Sequence, residues 1–144
     1  MDIAIEKARP EDADAIAALL AQNKLPLEGI QDHLATAIVA RRGRDVVGVA
    51  ALEVYGDGVL MRSVAVAPAL QGHGLGRQLT EAVLRLARDL HAAHAFLLTT
   101  TAERYFPKFG FERIERHAVP ASVQASVEFA SACPSSATIM HRPL

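Results

Sequence analysis

Apolar and polar residues alternate in several short runs of the chain, and each run predicts a β-strand. The runs in the first half are Ile3–Ala8, Thr36–Arg41, Val46–Tyr55 and Val59–Ala67. Glycine-containing turns at residues 43–45 and 56–58 separate the last three runs. Because tight polar turns of this kind join antiparallel neighbours, the chain predicts an antiparallel meander.

Apolar residues spaced three and four apart predict two main helices around this meander. A stripe that starts at Ile16 predicts a helix over Pro10–Gln22, and proline suits the first turn of a helix. A wider stripe between Leu79 and Leu90 predicts a longer helix that begins near Gly74.

Shorter elements complete the predicted order. They are a short helix at Ile30–His33, a buried strand at Ala95–Thr100, a short helix ending near Gly110, a strand beginning at Phe111, a helix from Ala121 to about Ala130 and a strand near Ala137–His141. No linker or repeat divides the chain, so residues 1–144 are expected to form one domain. The succession of elements predicts an α+β fold with a mixed, mostly antiparallel sheet flanked by helices.

Composition narrows the class of protein. Hydrophobic residues make up 51% of the 144 residues, which is enough for a substantial core, and the formal net charge is −1. No basic excess predicts a nucleic-acid or membrane surface. A lone cysteine, Cys133, excludes an intramolecular disulfide, and neither a signal peptide nor a membrane span is apparent, so a cytoplasmic protein is expected. No set of Cys, His and carboxylate residues has metal-ligand spacing, so no metal is expected.

Three glycines occupy every second position in LQGHGLGRQL, the stretch Leu70–Leu79 between a predicted strand and a predicted helix. Glycine tolerates positive φ and allows another group to approach the backbone closely. The first N–H groups of a helix have no internal partners and carry partial positive charge, so this turn suits a phosphate. A plain turn without a ligand accounts for the spacing equally well, and the spacing alone does not decide between them.

Two motifs resemble the GNAT N-acetyltransferase superfamily. SVAVAPALQGHGLGRQL resembles its acyl-CoA signature, in which a strand and a proline-containing bend precede [QR]-x-x-G-x-[GA]; here Gln71, Gly74 and Gly76 take these positions. AERYFPKFGF, the stretch Ala102–Phe111, is similar to the family's second motif. The resemblance covers about residues 3–115 and implies the GNAT fold with acetyl-CoA as the acetyl donor.

The resemblance also implies where coenzyme A binds. The pantetheine arm should pair with the backbone of Val64 and Val66, and the diphosphate should sit on the amides of the glycine-rich turn. The residues expected to bind CoA are Val64, Ala65, Val66, Gln71, Gly72, His73, Gly74, Leu75, Gly76 and Arg77.

The family transfers the acetyl group directly to an amine, which must first lose a proton. Glu53 is the predicted general base, because it lies on a strand with Tyr55 on the same face; a solvated strand glutamate is the alternative. The family's tyrosine, which protonates the leaving thiolate, corresponds here to Phe106. The neighbouring Tyr105 is the candidate for that role, and a packing tyrosine is the alternative.

Arg62 interrupts an apolar strand just before the expected acetyl position. It indicates either an ion pair with Glu53 or a clamp for a carboxylate of the acceptor. Because neighbouring strand residues face opposite ways, at most one of Arg62 and Ser63 is expected to face the acceptor. The residues expected to line the acceptor site are Tyr55, Arg62, Ser63, Thr99 and Thr100, with the segment Asn23–Ile30 as a further wall.

Further stretches narrow the resemblance. LPLEG, LLTTTAERYFPKFGF and VPASVQASVEFASACPSSATIM look like the arsenic-operon ArsN-type branch, which is linked to arsenic resistance, and LLTTTAERYF is also similar to the acetyltransferase domain of N-acetylglutamate synthases. The resemblance implies a small-molecule amine as acceptor, an amino acid or a glutamate-like analogue such as arsinothricin or phosphinothricin. A non-catalytic acyl-CoA-binding domain and a protein N-acetyltransferase are the alternatives. The sequence leaves open a homodimer interface on the tail, and Cys133 as a buried thiol or a substrate contact.

Overall fold

Seven strands form one mixed sheet in the computed structural model, which describes residues 2–129 and 136–144. The strands are β1 (Ala4–Lys7), β2 (Ala37–Arg42), β3 (Asp45–Tyr55), β4 (Gly58–Val66), β5 (His94–Thr99), β6 (Glu112–Arg113) and β7 (Thr138–Pro143). Their order across the sheet is β1-β2-β3-β4-β5-β7-β6, and β4 with β5 is the parallel pair. The predicted meander and the α+β fold with a mixed sheet are confirmed.

Helices cover both faces of this sheet. The α-helices are α1 (Ala13–Gln22), α2 (Leu75–Asp89) and α3 (Ala121–Gln124), and 3₁₀ turns lie at Pro10–Asp12, Ile30–Thr36, Pro68–Leu70, Phe106–Phe109 and Arg116–Ala118. Strand β2 shows how the layers form, since Val39 packs with the α1 side and Ile38 with the α2 side. Such a strand is buried on both faces. None of the helices within the described ranges is both long and apolar enough to cross a membrane.

The predicted helix from Ala121 to about Ala130 is wrong in length, because α3 ends at Gln124. Val123 and Phe129 both pack into one cluster beside the sheet. Ala125 forms a turn and Ser126 a bend, so the helix is interrupted between Val123 and Phe129. Position 130 and Cys133 lie outside the described residues.

A β-bulge in β4 shapes the centre of the sheet. Between the pairs Ala51–Arg62 and Val49–Ala65, β3 has one residue whereas β4 has two. Ser63 lies in this bulge with φ of 60°, a left-handed conformation that is uncommon for residues other than glycine. The bulge reverses the normal alternation of side chains, so that residues adjacent in sequence can face the same side.

Strands β4 and β5 diverge beyond the bulge. Their parallel pairing ends at Met61 and Leu97, although β4 continues to Val66 and β5 to Thr99. The gap between the two strand ends forms a cleft in the middle of the sheet.

The start of α1 is tied to β2 by a partly buried ion pair between Asp12 and Arg41, from which we predict an effect on stability. Asp12 accepts hydrogen bonds from Arg41 Nη1 at 3.0 Å and Nη2 at 2.8 Å, and from the Arg9 amide at 2.8 Å. The hydrogen bonds from Arg41 outweigh burial and lower the pKa of Asp12. Replacing Asp12 with asparagine at neutral pH should therefore reduce the free energy of unfolding by about 2 kcal/mol.

The same pair predicts a dependence of stability on pH. Because the folded-state pKa of Asp12 lies below the unfolded value near 4, its stabilisation is complete above about pH 4 to 5 and is lost as pH falls through the folded pKa. Urea unfolding of wild type and Asp12→Asn should therefore differ at pH 7, and the difference should be smaller at pH 3. The exposed Asp14→Asn is the control, and an equal difference at both pH values would contradict the assignment.

Candidate active site

The cleft between β4 and β5 opens into a cavity of about 460 Å³, a size typical of small-molecule sites. Arg62 and Ser63 form its β4 wall, and Thr99 and Thr100 stand at the end of β5. As expected, part of the segment after α1 closes another side, with Lys24, Leu25, Pro26 and Glu28 in the wall. We call this space the acceptor cavity.

A second groove, of about 500 Å³, runs between β4 and the start of α2. We call it the CoA groove, because nine of the residues expected to bind CoA line it: Val64, Ala65, Val66, Gln71, Gly72, Gly74, Leu75, Gly76 and Arg77. His73 is not in its wall; its Nδ1 lies 3.2 Å from the Leu70 carbonyl oxygen. Val64 and Ala102 line both spaces, so the acceptor cavity and the CoA groove meet at the bulge.

The glycine-rich turn presents bare amides to the CoA groove. Gly72 has φ of 85° and Gly74 has φ of 80°, and Gly74 is the N-cap of α2. No carbonyl in the described ranges accepts a hydrogen bond from the amides of residues 72–77. A Cβ on Gly74 would meet no protein atom within 4 Å. These amides are therefore available to an anion, as the phosphate interpretation requires.

The carbonyl of Val66 already has donors within the protein. Asn23 Nδ2 donates to it at 3.2 Å and Gln71 Nε2 at 3.1 Å, and Gln71 Nε2 lies 3.1 Å from Asn23 Oδ1. A pantetheine amide that pairs with this carbonyl has to replace these side-chain donors.

Glu53 is buried, with 1% of its surface exposed, so the alternative of a solvated strand glutamate is wrong. The Tyr55 hydroxyl donates to it, which confirms that the two share a face, and Arg62 Nη1 donates to it at 2.8 Å. Burial raises the pKa of Glu53, but hydrogen bonds from Ser126, Tyr55 and Arg62 together lower it below its usual value. Burial and Glu53 in turn raise the pKa of Tyr55 to about 12. Neither Glu53 nor Tyr55 is in the wall of the acceptor cavity.

Arg62 is a buried cation with two carboxylate partners. Its Nη1 donates to Glu53, and its Nε lies 2.8 Å from Glu128 Oε2. The predicted ion pair with Glu53 is therefore present. The Nε also donates to Ser63 Oγ at 3.0 Å, and Nη2 donates to the Pro26 carbonyl at 3.3 Å.

The prediction that at most one of Arg62 and Ser63 faces the acceptor is wrong. Both line the acceptor cavity, and their side chains are hydrogen-bonded to each other. Sequence reasoning assumed strict alternation along the strand, whereas the bulge at Ser63 breaks it.

Tyr105 and Phe106 point into different spaces. Phe106 lines the acceptor cavity and Tyr105 lines the CoA groove. The Tyr105 ring packs edge-on against Phe106 and Phe109, with centroid distances of 5.2 and 5.3 Å. Burial raises the pKa of Tyr105, so its hydroxyl stays protonated at neutral pH.

Sequence reasoning missed Glu128 altogether, and within the segment after α1 it did not single out Lys24 or Glu28. Glu128 comes from the tail, far along the chain from β4. One signal was available, because Glu128 is an isolated carboxylate in the run VEFA, just as Arg62 is an isolated cation in an apolar strand. Two such residues often pair, since an unpaired buried charge is costly.

A sheet that splits between β4 and β5, with bare amides at the adjoining helix start, agrees with the acyl-CoA-dependent acyltransferase that the two sequence motifs predict. Comparison with known proteins agrees: the Acetyltransferase (GNAT) domain model matches residues 33–113. The amino-acid acetyltransferase of Mycobacterium tuberculosis is 35% identical over 130 residues, which cover 83% of this chain and 74% of the relative. The chain therefore belongs to the GNAT family and is an acetyl-CoA-dependent N-acetyltransferase.

Solved structures share the fold over the whole chain. Rv2747 from Mycobacterium tuberculosis, in complex with CoA and NLQ, superimposes with a TM-score of 0.82 at 28% identity and covers 98% of this chain and 99% of its own. N-acetylglutamate synthase from Neisseria gonorrhoeae, complexed with coenzyme A and N-acetyl-glutamate, gives a TM-score of 0.84 at 23% identity. This chain corresponds to 35% of that synthase.

Proposed function

We propose that this protein acetylates the primary amine of a small amino acid. The observation that carries the proposal is the charge pattern of the acceptor cavity, whose wall contains the cations Lys24 and Arg62 and the carboxylates Glu28 and Glu128. A wall with both signs of charge complements a zwitterion, which presents a carboxylate and an ammonium group together. The 35% identity to an amino-acid acetyltransferase supports the same acceptor class.

Within that class we propose a glutamate-like acceptor, including arsinothricin and phosphinothricin. Two cations in one cavity suit a molecule with two acidic groups. The guanidinium of Arg62 has five N–H groups in a planar fork, which matches a carboxylate. Its Nη1 and Nη2 retain N–H groups beyond those directed at Glu53 and Pro26. The motifs that resemble the ArsN-type branch support this narrower acceptor.

We assign CoA binding to the groove, as the sequence predicts. The bare amides of residues 72–77 would hold the diphosphate, and acetyl-CoA supplies the activated acetyl group. Tyr105, beside Gly76, would donate from its protonated hydroxyl toward the CoA arm and the leaving thiolate. The thioester would lie at the bulge, where the two spaces meet and backbone N–H groups of β4 can stabilise the oxyanion.

The amine must be deprotonated before it attacks the thioester carbonyl carbon; the new C–N bond forms, the C–S bond breaks, and the CoA thiolate leaves and is protonated. We propose that Glu28, and not the predicted Glu53, accepts the proton that the amine loses. Glu28 is exposed in the cavity wall, so it can pass the proton on to water. The lowered pKa keeps Glu53 ionised, and its side chain lies outside the cavity wall. We therefore propose that Glu53 positions Arg62, with which it is hydrogen-bonded.

Consumption of acetyl-CoA with a panel of amines tests this function. The panel should contain α-amino acids, phosphinothricin, arsinothricin, polyamines, aminoglycosides and a lysine peptide. We expect glutamate-like amino acids to be the best acceptors, and their α-amides to lose about 10- to 100-fold in kcat/KM, because a charge-assisted contact is removed. Turnover of the peptide alone would favour the protein acetyltransferase, and CoA binding without any turnover would favour the non-catalytic domain.

A further inference from the structure

Glu128 is a buried carboxylate that reaches the acceptor cavity from the tail of the chain. Only 4% of the surface of Glu128 is exposed to solvent, yet the residue forms part of the cavity wall. Its Oε2 lies 2.8 Å from Arg62 Nε, and the same Nε donates to Ser63 Oγ at 3.0 Å. The carboxylate therefore stands next to the bulge, beside the meeting point of the acceptor cavity and the CoA groove.

Arg62 lies between two carboxylates. Its Nη1 is 2.8 Å from Glu53 Oε2, and its Nε is 2.8 Å from Glu128 Oε2. Glu53 accepts hydrogen bonds from Tyr55 and Arg62, and His33 Nε2 lies 3.7 Å from it. These three partners surround Glu53, which lies outside the wall of the acceptor cavity. Glu128 is the one of these two carboxylates that lies in the wall of the acceptor cavity, where a cationic group of the acceptor can contact it.

We infer that Glu128 binds the ammonium group of the acceptor and so selects a primary amine that enters the site charged. This inference rests on the amine-acetylating function proposed above. Because Glu128 lies beside the bulge, an ammonium group on it stands close to the place assigned to the thioester. Glu128 then orients the amine, and the exposed Glu28 removes its proton. Because Glu128 is paired with Arg62, we assign to it the binding of the amine and not the removal of its proton.

The variant Glu128→Gln tests the inference, because it keeps the size of the side chain and removes its charge. We expect the KM of the amine acceptor to rise about 10- to 100-fold, as for the loss of a charge-assisted contact, while the KM of acetyl-CoA changes less than about twofold. The aminooxy analogue of the same acceptor is uncharged at neutral pH. We expect its KM to be the same in the variant and the wild type, which a merely structural role of Glu128 would not produce.

Two further variants control for folding and for charge. Glu128→Asp keeps the charge on a shorter side chain and should recover part of the acceptor affinity, and Glu115→Gln removes an exposed carboxylate outside both sites and should change neither KM. If Glu128→Gln binds CoA in calorimetry as the wild type does, the variant is folded. Equal rises in KM for the amine and its aminooxy analogue would overturn the inference, as would a lower KM for carboxylate-bearing acceptors, which would mean that Glu128 competes for Arg62.

Comparing an amine with its aminooxy analogue tests the role of Glu128 separately from the proposed acceptor class. It uses whichever primary amine the wild type acetylates, paired with its own aminooxy analogue. Activity confined to polyamines would refute the amino-acid acceptor, while the effect of Glu128→Gln on such an amine would still decide whether Glu128 binds ammonium.

Discussion

Replacing Gly74 with aspartate is expected to abolish the binding of CoA while the fold persists. Gly74 is the N-cap of α2, and the Cβ of a new side chain would point into open space rather than into the protein. Its φ of 80° lies in the left-handed region, which aspartate tolerates better than most residues. A carboxylate there would face the diphosphate, and like charges about 4 Å apart near a protein surface repel by about 4 kcal/mol. We therefore expect the Kd for CoA to rise at least ~100-fold.

Two variants separate charge from backbone strain in this experiment. Gly74→Asn places a neutral side chain of the same shape at the same φ, and it should weaken CoA binding much less. Gly43→Asp adds the same carboxylate at φ of 62° in the turn between β2 and β3, also in open space, and should leave CoA binding unchanged. Normal binding of acetyl-CoA by Gly74→Asp in calorimetry would show that the diphosphate does not sit on this turn.

Replacing Arg62 with methionine is expected to destabilise the protein by about 3–5 kcal/mol and to remove activity. Methionine leaves Glu53 and Glu128, with 1% and 4% exposure, without the cation between them. Breaking a buried ion pair from one side costs this much because the remaining charge stays desolvated. Arg62→Lys keeps the charge but not the fork that reaches both carboxylates, so its effect should be intermediate. Urea unfolding at pH 7 measures both variants.

The cause of that loss of stability can be checked by also removing the charges of the two carboxylates. Adding Glu53→Gln and Glu128→Gln to Arg62→Met should recover much of the stability, although not the activity, since replacing a whole buried ionic cluster is often close to neutral. Arg44→Met, at an exposed turn position, should change stability by less than about 0.5 kcal/mol. A single Arg62→Met variant as stable as the wild type would contradict the ionic cluster described here.

Local patterns predicted the parts of the fold that depend on neighbouring residues. The meander followed from alternation and two glycine-containing turns, and α2 (Leu75–Asp89) followed from an apolar stripe of helical period. The glycine-rich turn lies between β4 and the start of α2 for the same reason, because strand, bend and helix start are contiguous in the chain. His73 was the exception there, since its side chain turns back to Leu70.

Patterns failed where one part of the chain depends on another that is distant in sequence. The bulge at Ser63 depends on the register between β3 and β4, and it put Arg62 and Ser63 on one cavity wall. The predicted tail helix was too long, because the chain turns at Ala125 and Ser126, between two residues that pack into the same cluster, Val123 and Phe129. Neither interaction has a local signature.

By itself, the sequence determined the α+β fold, the GNAT family and the glycine-rich turn between β4 and α2, because each depends on short contiguous segments whose periodicity and glycine content are visible in the chain. Only the tertiary structure decided what surrounds the acceptor. The divergence of β4 from β5 opens the cavity, and the tail brings Glu128 to Arg62 across 66 positions of sequence. Charge pairing over such a separation depends on the folded path of the chain, which no local pattern encodes.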